Sequence, residues 1–254
     1  MLEPSRQIAI VKNFRMSKRV SSFVSDAIQC LTLIPRGGDM TTGVDNGSVW
    51  AGCSDGSLWI FDASSEALLY RAIDGNAWCG SLSGKLYIWD VRDLRCRMVH
   101  ELGAVPVWSV VEHQGKVWAA VGAAIVRFDA QTYAKIDELK GHTKPITCLL
   151  AVGGEVWSGG QDHTIRVWRG SDGSMTHTLS KHSQKVYSLL AYSDTCVWSG
   201  SWDKTIIVWN TSTKEPTQVL QDVHDDAISA LVAVPGATQR VWSASWDKSM
   251  CVWA

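Results

Sequence analysis

At 254 residues, 46% hydrophobic and with a net charge of −1, the chain is long enough to bury a large core. It is too neutral to bind nucleic acid by neutralising phosphates, which takes a concentrated basic face. Seven cysteines at 30, 53, 79, 96, 148, 196 and 251 include no C-x-x-C pair; the pattern excludes a disulfide scaffold and fits a reducing compartment. Every apolar run falls short of the ~20 residues of a membrane span, and the start MLEPSRQ is too polar for a signal peptide, so a cytoplasmic location is expected.

Residues 1–15 carry no repeat signal and read as an N-terminal extension, with 16–254 as a single repeat domain. The one basic cluster, Lys12 to Arg19 (KNFRMSKR), reads as a solvated lead-in, the alternative being a docking or membrane-surface patch. Met16 to Phe23 is in register for a strand ahead of the first repeat. The apolar run from Ala27 to Pro35 (AIQCLTLIP) follows, and it has counterparts starting at Pro106, Pro145, Lys185 and Ala227.

Behind these runs lies a unit that returns six times. Its clearest copies are EVWSGGQDHTIRVW (Glu155 to Trp168), VWSGSWDKTIIVW (Val197 to Trp209) and VWSASWDKSMCVW (Val241 to Trp253). More worn copies are VWAGCSDGSLWIF (Val49 to Phe61), AWCGSLSGKLYIW (Ala77 to Trp89) and VWAAVGAAIVRF (Val117 to Phe128). Period-2 alternation bounded by turn residues predicts two strands around a tight turn. A lone hairpin is marginal in water, so copies must stack. Burying one tryptophan stabilises by roughly 4–6 kcal/mol as an upper bound, enough to set the packing between neighbours. With the leading apolar strand and a more polar outer strand such as SMTHTLS (Ser174 to Ser180), each unit has four strands.

The interval between the closing residues Phe61 and Trp89 is much shorter than any other. EALLYRA fits an outer strand there, which leaves nothing for the next leading strand. Residues missing between about Ile73 and Asn76 would account for this, and six or seven units result according to how many. After Trp253 an outer strand is still owed, and Met16 to Phe23 could supply it, removing an open edge.

These repeats resemble the WD-repeat β-propeller family, whose unit joins a Gly-His pair, a buried strand, a Ser-Gly-Ser-x-Asp-like turn and a strand closing on Trp-Asp. The matching residues are His142, Ser158, Asp162 and Trp168; His182, Ser199, Asp203 and Trp209; and His224, Ser243, Asp247 and Trp253. The resemblance implies an all-β propeller of four-stranded blades in which each set forms a hydrogen-bonded relay. A buried carboxylate does need donors, which imidazole and indole N–H supply. The first three copies lack the His, the turn Asp or both, so packing is expected to hold those blades.

No catalytic or metal constellation stands out: the recurring histidines and aspartates belong to the repeat, and no C-x-x-C, H-x-x-x-H or P-loop spacing occurs. No cofactor is expected. The resemblance places the residue before each turn Asp, and those opening each leading strand, on one face used for partner contacts. Those before the Asp are Ser54, Gln161, Trp202 and Trp246, with Leu82 as a counterpart. The strand-opening residues include Gln29, Trp108, Pro145, Thr147, Lys185, Tyr187, Ala227 and Ser229. Trp108, Lys185, Tyr187, Trp202, Trp246 and Gln161 are the candidates for partner binding, against a reading in which Trp202 and Trp246 only plug the rim. The expected function is a non-enzymatic scaffold in a multiprotein assembly, binding a protein or peptide and neither nucleic acid nor a membrane interior. The alternative is a regulatory module of a larger signalling enzyme, since a Trp in the second strand of every unit resembles propellers fused to phosphoinositide phosphatases or Rho exchange factors.

Overall fold

A computed structural model of the chain describes residues 28–34, 48–53, 58–62, 76–90, 95–234 and 240–253. They form antiparallel sheets joined by turns, with no helix among the described residues. Sheet 1 holds β1 (Ile28–Ile34), β2 (Ser48–Cys53) and β3 (Leu58–Asp62), and sheet 2 holds β4 (Asn76–Gly80), β5 (Lys85–Asp90) and β6 (Arg95–Glu101). Sheet 3 is β7 (Val107–His113), β8 (Lys116–Val121), β9 (Ala124–Asp129) and β10 (Lys135–Lys140). Sheet 4 is β11 (Ile146–Val152), β12 (Glu155–Gly160), β13 (Ile165–Arg169) and β14 (Met175–Leu179). Sheet 5 is β15 (Val186–Ser193), β16 (Cys196–Ser201), β17 (Ile206–Asn210) and β18 (Pro216–Leu220). Sheet 6 has β19 (Ile228–Val234), β20 (Arg240–Ser245) and β21 (Met250–Trp253). The chain divides at Val107/Trp108 into two compact units.

The expected hairpin recurs in one register. Its closing aromatic faces the first apolar residue of the preceding strand in every sheet: Val49 opposite Phe61, Ala77 opposite Trp89, Val117 opposite Phe128, Val156 opposite Trp168, Val197 opposite Trp209 and Val241 opposite Trp253. In the turns, His163, Lys204 and Lys248 all take φ of 69°, left-handed backbone uncommon outside glycine. Gly84, at φ 81°, holds this place in sheet 2.

Within the unit from Trp108 onward, each apolar cluster spans two consecutive sheets. Trp118 packs with Ile146, Val156 and Trp168; Trp157 with Val186, Val197 and Trp209; and Trp198 with Ile228, Val241 and Trp253. The second-strand tryptophan of one sheet thus shares a core with the closing tryptophan of the next, and the Trp198 and Trp253 centroids lie 6.2 Å apart at 57°. Two rings per junction, rather than one, join neighbouring sheets. Serine hydroxyls add a tie between leading strands: Leu149 N–H donates to Ser109 Oγ and Leu231 N–H to Ser188 Oγ, both at 3.0 Å.

The glycine after the repeat serine has a reason in this stacking. A Cβ on Gly159 would come within 2.8 Å of Val186 Cγ1, and one on Gly200 within 2.6 Å of Ile228 Cγ2. In sheet 2 a Cβ on Gly80 would meet Val107 Cγ1 at 2.5 Å. The position is where the next leading strand touches down.

Sheet 2 contains β4, β5 and β6 and, among the described residues, no leading strand, in keeping with the short interval before Trp89. The segments behind the other expectations of this kind, Lys12 to Arg19, Met16 to Phe23, EALLYRA and the residues from Ile73 to the start of β4, lie outside the described residues.

Adding a branched side chain at the touchdown position tests the stacking. Gly200→Val should cost about 1–3 kcal/mol, read as a lowered urea midpoint; an unchanged midpoint would contradict the close contact between sheets 5 and 6.

Candidate functional site

The relay residues fall into three identical chains. Trp168 Nε1–H donates to Ser158 Oγ at 2.8 Å, Ser158 Oγ lies 2.8 Å from His142 Nε2, and His142 Nδ1 lies 2.9 Å from both carboxylate oxygens of Asp162. Trp209, Ser199, His182 and Asp203 repeat this in sheet 5 at 2.8, 2.7 and 2.8 Å. Trp253, Ser243, His224 and Asp247 repeat it in sheet 6 at 3.0, 2.9 and 3.0 Å. An indole can only donate and a carboxylate only accept, so the serine accepts from Trp and the histidine Nδ1–H donates to Asp, with the Ser Oγ–Nε2 bond joining the two halves.

Each carboxylate also takes the amide of the residue after the histidine: Thr143, Ser183 and Asp225, at 2.9–3.0 Å. Burial pushes the carboxyls of Asp162, Asp203 and Asp247 up. The surrounding donors, His142 foremost at Asp162, His182 at Asp203 and Ser249 at Asp247, outweigh it and hold all three well below the usual carboxylate range. Bound in this way, the recurring His, Ser and Asp are committed to structure, and among the described residues no His/Cys/Asp/Glu group could hold a metal ion. Burial likewise pushes the Cys148 thiol up to about 12, an unreactive small hydrophobe.

Sheets 2 and 3 lack the chain, and each differs in a matched way. In sheet 3, Ala119 stands at the serine position and Phe128 at the tryptophan position, so neither end has a polar group to satisfy. There a buried cation adds to the packing. Arg127, 3% exposed, lies over the Trp118 ring at 4.9 Å and donates through Nε and Nη2 to Asp137 of β10. Its Nη2 also donates to the Asp172 carbonyl of the next sheet at 2.8 Å. In sheet 2, Cys79 stands at the serine position and Trp89 Nε1 finds no acceptor among the described residues; Ser81 Oγ accepts from Lys85 N–H at 3.0 Å in the turn. A further cation locks sheets 4 and 5: Lys214 lies over the Trp157 ring at 5.1 Å and pairs with Glu155.

The candidates for partner binding sit at one end of the sheets. The amide before each turn Asp donates back to the strand-opening carbonyl of its own sheet: Gln161 to Pro145 (2.8 Å), Trp202 to Lys185 (2.9 Å) and Trp246 to Ala227 (3.0 Å). Both classes of residue therefore share a rim. The register of β15 shifts between Val186 and Ser188, making Tyr187 the extra residue of a bulge, which re-aims a side chain. Tyr187 reaches Trp202 and Trp246, with centroids 5.6 and 6.5 Å away, and the two indoles are 5.2 Å apart; all three pairs are tilted by 41–56°. Lys185 Nζ stands over Trp202 at 4.6 Å.

Lys185, Tyr187, Trp202 and Trp246 are thus one patch across sheets 5 and 6, with Trp246 55% exposed. Gln161 occupies the corresponding turn of sheet 4. Trp108, 44% exposed, opens β7 two sheets away and has no ring contact among the described residues. The side chains of Gln29 and Ser54 lie outside the described residues.

Two outcomes test the relay. Ser199→Ala strands the Trp209 and His182 nitrogens in the interior and should cost about 1–3 kcal/mol of unfolding free energy; a neutral result would contradict the chain. The three aspartates have folded pKa values below their unfolded value of 3.8. Their stabilisation is complete above that value and lost as pH falls below it, by up to roughly 1.4 kcal/mol per pH unit for each group. Urea titrations should show unfolding free energy declining below about pH 4, with a shallower decline in Asp203→Asn.

The family model for the WD domain, G-beta repeat, matches residues 134–169 and 173–210, the stretches running from β10 through β13 and from β14 through β17. No curated protein matches the chain. Among solved structures, the crystal structure of the computationally designed Ika8 protein superposes with a TM-score of 0.61 over 89% of this chain and 83% of that one, at 19% identity. At that identity the likeness concerns the fold alone. WD repeats in general serve as protein-interaction modules and are typically non-enzymatic. Two WD repeats are thus matched directly, and sheet 6 carries a third copy of the same relay.

Proposed function

We propose that the protein is a non-enzymatic scaffold that holds a peptide or partner domain against the patch formed by Lys185, Tyr187, Trp202 and Trp246. The observation that carries this reading is the exposure of Trp246, 55%, within a cluster of three rings. A rim plug would bury its rings, whereas a preformed aromatic surface binds at little ordering cost. Burial pushes the Tyr187 phenol up, keeping it neutral. Gln161 and Trp108 extend the same rim towards sheets 4 and 3 as peripheral contacts. A multiprotein assembly in the cytoplasm is the proposed setting.

The test is the pair Trp202→Ser/Trp246→Ser. Both rings lie outside the cores shared by neighbouring sheets, so the double variant should lose no more than about 2 kcal/mol. Affinity for partners captured by the wild-type chain should fall more than about tenfold. Retained capture together with a large loss of stability would contradict the reading and make the rings a rim plug.

A further inference from the structure

We propose that Met175 is a modification site, oxidised to the sulfoxide by hydrogen peroxide and made receptive by the Arg166 guanidinium held against its sulfur. Met175 begins β14, the edge strand of sheet 4, and is 45% exposed. Its thioether is open to a small oxidant. The β13–β14 ladder sets Met175 opposite Trp168 and Thr178 opposite Arg166, with a register shift between Val167 and Trp168. Residues two apart on a strand share a face, as do cross-strand partners, so these four side chains lie on one side of the sheet.

Two donors reach the sulfur there. Arg166 Nη1–H donates to Met175 Sδ at 3.0 Å and the Thr178 hydroxyl at 3.8 Å. Arg97, Arg127 and Arg169 pair with Asp90, Asp137 and Asp172, whereas Arg166 has no carboxylate partner among the described residues. A thioether is a weak acceptor, and a sulfoxide oxygen in its place would be a much better one for a guanidinium. Gly141 leaves the room: a Cβ there would come within 3.1 Å of Arg166 Nη1 and 2.9 Å of Trp168 Cη2.

The pairing is peculiar to this sheet. The same two places hold Ile207 and Pro216 in sheet 5, and Val126 and Lys135 in sheet 3. The stacking of sheets takes an apolar residue at the first place. Sheet 4 sets a cation there, and the second place carries the thioether that it meets.

The step balances with peroxide as its oxidant. A lone pair of Sδ attacks one peroxide oxygen and forms the S–O bond as the O–O bond breaks. Sulfur loses two electrons, and the departing hydroxide takes the proton of the transferred oxygen and leaves as water. Sulfur has two lone pairs, so one stays free for the oxidant while Arg166 holds the other. Negative charge builds on oxygen beside a guanidinium already in place, which stabilises it. Enzymatic reduction at the expense of two thiols, which leave as a disulfide with one water, restores the thioether.

The experiment exposes the full chain to hydrogen peroxide and follows each methionine by peptide mapping and mass spectrometry, with Met98, 39% exposed, as the reference. Exposure alone predicts near-equal rates for the two. Met175 should instead oxidise at least about threefold faster than Met98 in the folded chain, and at the same rate in urea. Arg166→Leu should bring the folded ratio to about one, while Arg166→Lys, which keeps a cation, retains most of the excess. Met175→Gln, with an amide oxygen in place of the sulfoxide oxygen, should hold or raise the urea midpoint with Arg166 present and lower it in Arg166→Leu. Equal rates at Met175 and Met98, an excess that survives in urea or in Arg166→Leu, or a midpoint lowered by Met175→Gln with Arg166 present would each overturn the proposal.

Discussion

The structure depends on how a tryptophan N–H is satisfied in a dry interior. A closing indole brings a large apolar surface to the junction between sheets, but its nitrogen must find an acceptor or lose a hydrogen bond to water. Ser158, Ser199 and Ser243 provide it, and each passes the demand on through an imidazole to a carboxylate anchored by backbone amides. The chain of donors runs from the buried core to the rim. Core packing and rim geometry are therefore coupled: the aspartate that ends the relay is also the residue next to Trp202 or Trp246.

Where the chain lacks this relay, its substitutions are paired. Ala119 and Phe128 remove both the acceptor and the donor in sheet 3. Arg127 then enters a position that is Val167 or Val208 in its neighbours, flattening against Trp118 and reaching into the next sheet. Sheets 4 and 5 carry both devices, the relay and the Lys214 contact over Trp157. A planar or extended cation lying on an indole fills the junction and neutralises its charge through a nearby carboxylate, Asp137 or Glu155. Among the described residues no such cation lies on Trp198; Tyr192 and Trp253 stand beside it, each with its centroid 6.2 Å away.

Much of this was legible in the sequence because it repeats. Six copies of one hairpin gave the strand order and register, and the alternation of small and apolar residues located the leading strands to within a residue or two. The relay came from family resemblance, and the geometry supplies its logic. The cationic locks were not read, because Arg127 and Asp172 are 45 residues apart and Lys214 and Glu155 are 59 apart, distances at which only the stacked sheets bring residues together. A charged residue just before Phe128, where other copies have Val or Ile, was the available signal. Trp108 shares the rim by its position in the repeat, yet sheet 4 separates it from Tyr187 and Trp202. Position in the repeat fixes the rim and leaves the place around it to the count of intervening sheets.

The relay and the rim make opposite demands on indole groups, and hydrogen exchange at tryptophan Nε1–H, followed residue by residue by NMR, reads both. The account predicts that the Trp168 and Trp209 indole protons exchange only through global unfolding, while that of Trp246 exchanges close to the solvent rate in the free chain. Fast exchange at Trp168 and Trp209, or strong protection at Trp246 without a partner, would contradict it.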